Sequence, residues 1–231
     1  MRSNGSSVSD GSGLLVPVGS LPRGGRSGGG SATVKRMLDI LFAGCGLVAL
    51  APVIAGVAIA IRVSMGAPVF FRQQRPGLHA KPFELLKFRS MLHEVGPNGQ
   101  TLTQDQRVTR LGSFLRRTSL DELPELWNIL KGDMSLVGPR PLLMEYLPRY
   151  SSDQARRHEV KPGLTGLAQI NGRHLLDWES RFALDVWYVD NWSLRVDLAI
   201  LRSTAKFILD GEGSPDPTVQ EYEFGVRHPE S

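Results

Sequence analysis

The sequence predicts an α+β protein that is mainly α-helical, with one small β-hairpin and an apolar segment near its start. Two short runs rich in apolar and aromatic residues flank an Arg-Pro-Gly turn, and apolar residues recur at helical spacing near the C-terminus. The segment from Ile40 to Ile61 carries no charge. Because the chain has 231 residues and a low-complexity start, we expect a single folded domain with its own core.

Composition divides the chain into four segments. Residues 1–33 are rich in glycine and serine and have too few apolar residues to offset the entropy of ordering, so we expect a disordered arm without the apolar core of a signal peptide. The apolar segment lies within 34–66. We expect a compact domain, large enough to hold a catalytic site, over 67–211 and a C-terminal tail over 212–231.

Cysteine and charge content restrict the classes of function. Cys45 is the single cysteine, so an intrachain disulfide or a thiolate metal site is excluded and a cytoplasmic setting is favoured. Between Arg62 and Arg117, lysine and arginine far outnumber the acids, which is typical of a segment that meets anionic headgroups or phosphate ligands. This block lacks the aromatic interleaving and the motifs of nucleic-acid readers, so we expect no nucleic-acid partner.

The uncharged segment predicts an interaction with a membrane. As a helix it would extend about 33 Å, against a hydrocarbon core of about 30 Å. Pro52 lies near its middle, and lysine and arginine flank both ends, as they do on cytoplasmic flanks. Since a proline removes a helical hydrogen bond and kinks the axis, we predict a re-entrant membrane helix that turns back near Pro52. A straight span that tolerates the proline and a buried core helix are the alternatives.

Short elements are predicted after this segment. The runs 69–74 and 82–88 predict a β-hairpin. Residues 109–117 predict a short helix whose end, with Arg116, brings cations to the motif that follows. A glycine-rich turn is expected over 161–173.

Two longer helices are expected near the C-terminus. In the first, over 177–191, Asp185 falls on an otherwise apolar stripe. The second, over 193–209, carries an apolar stripe of Leu194, Leu198, Leu201, Ala205 and Ile208. This stripe suits an interfacial amphipathic helix and equally a surface helix packed on a core.

The richest pattern places two adjacent acids, Asp121 and Glu122, before a proline at 124. Neighbours on a helix point about 100° apart, so these acids cannot form a facing carboxylate dyad. Ser119-x-x-Glu122 matches a capping box, but a helix that starts there loses a hydrogen bond at Pro124. We therefore predict Asp121 as the N-cap of a helix that ends at Lys131-Gly132, which puts its carboxylate where a phosphate would also bind.

The chemistry that these residues could perform is phosphoryl transfer. A carboxylate can attack phosphorus to form an acyl phosphate, provided that cations neutralise the phosphate oxygens. Arg140, between two prolines, presents its guanidinium from a stiff backbone. As alternatives, Asp121 is only a helix cap and Pro-Arg-Pro only a rigid turn. Further candidates, each also interpretable as a solvated charge or a structural ion pair, are Lys87, Arg89, Arg173 and Asp185.

Together these motifs resemble the bacterial sugar transferases, the monotopic polyprenyl-phosphate phosphoglycosyl transferases, and within them the undecaprenyl-phosphate diacetylbacillosamine-1-phosphate transferases. The resemblance covers about 34–225. It rests on Lys35-Arg36 before the apolar helix, Phe70–Gln73, Lys87–Met91, Ser119–Pro124, Lys131–Pro141, Lys161–Gly166 and Ala168–Arg173.

The resemblance implies transfer of a sugar 1-phosphate from a UDP-sugar to undecaprenyl phosphate, with release of UMP, at the cytoplasmic face of the bacterial inner membrane. It implies that Asp121 is the nucleophile of a covalent phosphosugar intermediate and that Glu122 assists at Mg²⁺ or in proton transfer, both acids being candidate Mg²⁺ ligands. Arg140 would hold phosphate. Substrate binding or support of the site is implied for Lys87, Arg116, Arg173 and Asp185.

The chain departs from the family pattern at two positions. The break in the membrane helix is Ala51-Pro52 where Ser-Pro is usual, so the hydroxyl that would bond the freed backbone is absent. Leu167 stands where tryptophan is usual, which affects the expected sugar or acceptor contacts. The rival interpretation from another class is a catalytically silent, membrane-bound scaffold of a glycan assembly complex. Neither the sugar nor the oligomeric state follows from the sequence.

Overall fold

The computed structural model describes residues 21, 29–92, 100–101, 103–172 and 176–209. Over these residues the chain is mainly helical with small sheets, as predicted. Arg173, most of the predicted arm and the tail at 212–231 lie outside the described residues. The first helix begins at Gly29, earlier than the boundary predicted at residue 34.

Short helices and strands lie between two longer helices at the start and two longer helices at the end of the described chain. The α-helices are α1 (Gly29–Ala49), α2 (Ala51–Ser64), α3 (Gln104–Arg107), α4 (Arg110–Arg117), α5 (Glu125–Lys131), α6 (Ser152–Ala155), α7 (Leu167–Ile170), α8 (Trp178–Asn191) and α9 (Leu194–Leu209). The strands are β1 (Phe70–Pro76), β2 (Pro82–Phe88), β3 (Ser135–Val137) and β4 (Gly163–Thr165). Turns of 3₁₀ helix span Leu78–Ala80, Leu120–Glu122, Met144–Arg149 and Arg156–Glu159.

The apolar segment forms a bent pair of helices. Helices α1 and α2 meet at 61°, and Pro52 lies in the first turn of α2, where its missing N–H removes no helical hydrogen bond. Among the described residues, no single helix is long and apolar enough to cross a membrane, whereas this bent pair is, by length and composition. Large apolar side chains on the pair are exposed, including Met37, Val48, Ile59 and Val63. The bend lies where the sequence predicted it, and re-entry into the membrane stays a prediction.

The polar start of α1 is bound to the rest of the fold. The Lys35 ammonium forms an ion pair of 2.6 Å with Asp197, and Arg36 donates to the carbonyls of Ile129 at 2.6 Å and Leu130 at 2.8 Å. Both carbonyls lie at the C-terminal end of α5, where a cation is favourable. These two cations therefore bind the start of α1 to the rest of the fold.

The β-hairpin is confirmed, and it carries Lys87 to the site. Strands β1 and β2 pair antiparallel, with Phe71 opposite Lys87. Helix α5 is fixed on β2 because the Asn128 side chain donates to the carbonyl of Glu84 at 2.7 Å and accepts from the N–H of Leu86 at 3.0 Å. This clamp sets the distance between Lys87 and the turn that precedes α5.

The second sheet is parallel and formed by glycine-rich backbone. Strand β3 pairs with β4, so the predicted glycine-rich turn is in fact a strand followed by the short helix α7. A Cβ on Gly163 would lie 2.1 Å from the main-chain nitrogen of Gly138, so only glycine allows this approach. The sheet places the segment after β3, with Arg140, beside the segment that contains β4.

Helix α9 packs on the core, and its predicted apolar stripe is only partly buried. Val196 and Ile200 are fully buried, together with Tyr188 of α8. Leu198 and Ile208 of the predicted stripe stay exposed. Leu201 of the stripe packs partly against this core. The helix is therefore packed on the core, and its role as an interfacial helix stays a prediction.

Candidate active site

The adjacent acids lie in a 3₁₀ turn before α5, and Asp121 is not the N-cap of that helix. Helix α5 begins at Glu125 with Pro124 as its N-cap, and Ser119 makes no side-chain capping bond. The predicted N-cap is wrong because Ser119 adopts a left-handed conformation, with φ of 54°, that tightens the chain into a separate turn. The predicted end at Lys131 and Gly132 is confirmed, with Gly132 at a φ of 95°.

The structure gathers two predicted cations around Glu122. The Lys87 ammonium donates to Glu122 Oε1 at 2.8 Å, and the Arg140 guanidinium donates to the same oxygen at 2.8 Å. Burial by itself would raise the pKa of Glu122, but Arg140 and Lys87 outweigh burial and hold this pKa far below its usual value. Glu122 is thus a permanent anion whose bridging oxygen is already engaged.

Asp121 has the opposite character. Its side chain is 9% exposed and accepts no hydrogen bond from the residues that the structure describes. Burial, with repulsion from Glu122, raises its pKa to about 6, against the attraction of Lys87, Arg140 and Arg116. A carboxylate near cations but bonded to none of them is free to attack a phosphorus atom. The two acids therefore differ in their hydrogen-bond partners and in the direction of their pKa shifts.

A third carboxylate, Glu125, belongs to the cluster and was missed from the sequence. Its side chain is buried, and its Oε1 lies 3.0 Å from the Lys87 ammonium. Burial and repulsion from Glu122 raise the pKa of Glu125 to about 7. In Lys87, burial would lower the pKa, but Glu122 and Glu125 raise it overall. The only sequence signal was a third acid one turn after Glu122, in a helix start where acids are common anyway.

The backbone of Arg140 is held from two sides. The N–H of Gly163 donates to the carbonyl of Pro139 at 3.0 Å, and the Arg157 guanidinium donates to the carbonyl of Arg140 at 2.8 Å. Arg157 in turn forms an ion pair of 2.7 Å with Asp185, and both side chains are almost fully buried. Asp185 therefore meets Arg140 only through Arg157, which makes it a support of the site in the described structure. Arg157 was not predicted.

The remaining candidates have distinct positions. Arg116 donates through Nε to the hydroxyl of Ser90 at 3.1 Å, and its charge acts on Asp121. Arg89 donates to the carbonyls of Met65 and Gly66 and so binds the chain that leaves α2. Arg89 is thus structural, whereas Arg173 lies outside the described residues.

A metal could be held here only together with a substrate. No group of three or more histidine, cysteine, aspartate or glutamate side chains suited to a metal occurs among the described residues. Mg²⁺ commonly takes one or two carboxylates and completes its shell with phosphate oxygens and water. Asp121 and Glu122 fit that limited role, Asp121 because its oxygens are not engaged by a cation.

The sequence of this chain matches a known family of transferases. A model of the family described as bacterial sugar transferase matches residues 30–211. This match covers the bent helix pair, the acid cluster and the Pro-Arg-Pro segment. The chain therefore belongs to the bacterial sugar transferase family, as its motifs predicted.

Several relatives are similar over most of this chain. An uncharacterized sugar transferase of Bacillus subtilis, EpsL, is 54% identical over 180 residues, which is 78% of this chain and 89% of that protein. A UDP-glucose:undecaprenyl-phosphate glucose-1-phosphate transferase of Caulobacter vibrioides is 42% identical over 76% of this chain and 69% of that protein. The undecaprenyl-phosphate galactose phosphotransferase of Salmonella typhimurium is 45% identical over 64% of this chain. This chain spans only 35% of the Salmonella protein.

Proposed function

We propose that this protein transfers a sugar 1-phosphate from a UDP-sugar to undecaprenyl phosphate and releases UMP. The observation that carries this proposal is the contrast between Asp121, bonded to no cation, and Glu122, bonded to two. The names of the Caulobacter and Salmonella relatives supply the class of donor and acceptor. Such a transfer would initiate the assembly of a polysaccharide or glycoprotein glycan.

The reaction proceeds in two displacements at phosphorus. In the first, a carboxylate oxygen of Asp121 attacks the β-phosphorus of the UDP-sugar, the bond from that phosphorus to the bridging oxygen breaks, and UMP leaves with the electron pair. In the second, an oxygen of undecaprenyl phosphate attacks the same phosphorus and the bond to Asp121 breaks. Arg140 and Lys87 stabilise the negative charge that builds up on the phosphate oxygens in both displacements.

Glu122 holds these two cations in position. Because one of its oxygens accepts from both Lys87 and Arg140, loss of its charge would leave these two neighbouring cations without the carboxylate that they share. Its low pKa makes proton transfer a poor role at neutral pH. Of the two roles that the resemblance implied for Glu122, assistance at the metal is therefore favoured.

Mg²⁺ is the proposed cofactor. When bound, it would neutralise charge on the diphosphate of the donor. Asp121 and Glu122 are the protein groups that would hold it, Glu122 through Oε2, since Oε1 is engaged by Lys87 and Arg140.

The proposed location is the cytoplasmic face of the bacterial inner membrane. Support comes from the bent pair of α1 and α2, from the exposed Leu198 and Ile208 of α9, and from the exposed aromatic side chains Phe114 and Trp127. Both aromatic residues lie on the helices that flank the acid turn, so a site at the membrane surface would meet a lipid substrate directly. Cysteine labelling at Ser31 and Gly66, in a Cys45→Ser background, tests re-entry: labelling from opposite faces of the membrane contradicts it.

The experiment that separates this enzyme from a silent scaffold is UMP release across a panel of UDP-sugars, with undecaprenyl phosphate present. The proposal expects UMP from at least one donor and none from Asp121→Asn. Asp153→Asn is the matched control, because Asp153 is an exposed aspartate in the short helix α6 and should leave the rate unchanged. UMP release that persists in Asp121→Asn contradicts the mechanism.

A further inference from the structure

A pocket of about 120 Å³ adjoins the acid cluster and shares two of its cations. Its polar lining comes from different elements, with Arg75 on β1, Lys87 on β2, Glu125 at the start of α5, Arg140 after β3 and Tyr146 in a 3₁₀ turn. The two adjacent acids are not among the lining residues. A ligand in this pocket would therefore lie beside the phosphoryl group that Asp121 attacks, and it would contact the same cations as that group.

The charges in this lining favour an anion with several oxygens. Lys87 and Arg140 already face the acid cluster, and Arg75 adds a guanidinium that donates to the amide of Gln73 at 2.8 Å. Two guanidinium groups and an ammonium around one pocket match the several acceptor oxygens of a phosphate. Glu125 is the opposing charge, and its oxygen is 3.0 Å from Lys87.

We propose that this pocket binds a phosphate monoester and that Arg75 is the residue that recognises it. The inference rests on the proposed function, because that reaction needs two phosphate monoesters in turn beside the reacting phosphorus, UMP as it leaves and the lipid phosphate as it attacks. Asp121 holds the phosphorus that is transferred. Lys87 and Arg140 line the pocket and also contact the acid cluster, so they stabilise negative charge on the phosphate oxygens in either position.

The first experiment measures UMP binding to the full-length protein in detergent by calorimetry, without a donor sugar. Arg75→Gln should weaken UMP binding by about tenfold or more, since a hydrogen bond to a charged group is removed. Arg72→Gln is the matched control on the same strand, because Arg72 is exposed and paired with Glu84 at 3.2 Å. An equal loss in both variants overturns the proposal, and an unchanged UMP affinity in Arg75→Gln rules out UMP as the occupant.

A second variant guards against a simple folding defect. At pH 8, Glu125→Gln keeps the shape of the side chain and removes a negative charge from the lining, so UMP should bind more tightly than to the wild type. A misfolded protein would not gain affinity. Weaker UMP binding in Glu125→Gln, in protein with an unchanged circular dichroism spectrum, contradicts an anion pocket at this place.

A second arm distinguishes the two sources of phosphate. A short-chain polyprenyl phosphate is titrated into the wild type and Arg75→Gln under the same conditions. Loss of affinity for UMP alone assigns the pocket to the leaving group, and loss for the lipid phosphate alone assigns it to the acceptor; either supports a phosphate monoester site. Unchanged affinity for both overturns it. Covalent labelling of Asp121 by the donor is scored separately by mass, so failure of the pocket leaves the proposed function standing.

Discussion

Asp185→Asn should destabilise the protein far more than Asp190→Asn, although both aspartates lie on α8 and both pair with an arginine. Asp185 pairs with Arg157, and the two side chains are 5% and 2% exposed. Asp190 pairs with Arg156 at the surface, where the side chains are 46% and 33% exposed. The two pairs involve consecutive arginines, so they differ chiefly in burial.

The expected magnitudes follow from that difference. Removing one partner of a buried pair leaves an uncompensated charge and costs about 3–5 kcal/mol, whereas a surface pair contributes about 0–1 kcal/mol. For a chain of this size each kcal/mol lowers the melting temperature by about 2–4 °C. Asp185→Asn should therefore melt at least about 6 °C below the wild type, and Asp190→Asn within a few degrees of it.

Thermal unfolding followed by circular dichroism, with all three proteins in the same detergent, measures these differences. The loss in Asp185→Asn should extend to activity, since Arg157 also binds the carbonyl of Arg140. UMP release at a temperature where the variant is fully folded tests that link. Equal melting temperatures for the two variants would refute the conclusion that the buried pair of Arg157 and Asp185 supports the backbone of Arg140.

Three further predictions concern the acid cluster and the second sheet. Because the pKa of Glu125 is raised to about 7, the folded state holds this proton more tightly than the unfolded chain, so the wild type should lose stability as pH rises from about 4.5 to 7. Glu125→Gln should show a smaller loss in denaturant titrations at pH 5 and 8, to which the raised pKa of Asp121 still contributes, and an identical pH dependence would count against it. Glu122→Gln should lower the rate of UMP release by about 10²-fold or more, because two cations lose their shared carboxylate; a rate near that of the wild type would contradict this role. Gly163→Ala places a Cβ 2.1 Å from Gly138, so it should cost about 3 kcal/mol or more in chemical unfolding, and a neutral effect would show that the strands separate easily.

The parts of the fold that the sequence predicted are those with local causes. The β-hairpin has two apolar runs around an Arg-Pro-Gly turn, and it formed within two residues of the predicted bounds. Helix α8 begins after Asp177, whose side chain accepts from the N–H of Ser180. The bend at Pro52 also lies where it was expected. In each case the deciding interaction joins residues that are close in sequence.

The parts that the sequence did not predict depend on contacts between distant segments. Arg157 reaches Arg140 and Asp185 across the chain, and no local pattern marks it as buried. Strands β3 and β4 are too short to show a period, and their pairing rests on close backbone approach at glycine. The predicted apolar stripe of α9 is divided, with Leu201 partly packed on the core and Leu198 and Ile208 exposed, and periodicity alone does not predict this division.

The site was predicted in composition more than in geometry. The local motifs predicted Asp121, Glu122 and Arg140 as site residues, and the family resemblance supported Lys87. The predicted helix start at Asp121 was wrong, because the left-handed turn at Ser119 separates the acids from α5. The distinction between a carboxylate bonded to two cations and one bonded to none exists only in three dimensions.

The central claim is that Asp121 becomes covalently attached to a phosphosugar. Intact-mass measurement of the full-length protein, mixed with a UDP-sugar that supports UMP release but with no lipid acceptor, tests it directly. The account predicts a mass increase equal to one sugar phosphate in the wild type, mapped to the peptide that contains Asp121, and no increase in Asp121→Asn. UMP release to undecaprenyl phosphate with no adduct at any time, or an adduct that persists in Asp121→Asn, would contradict it.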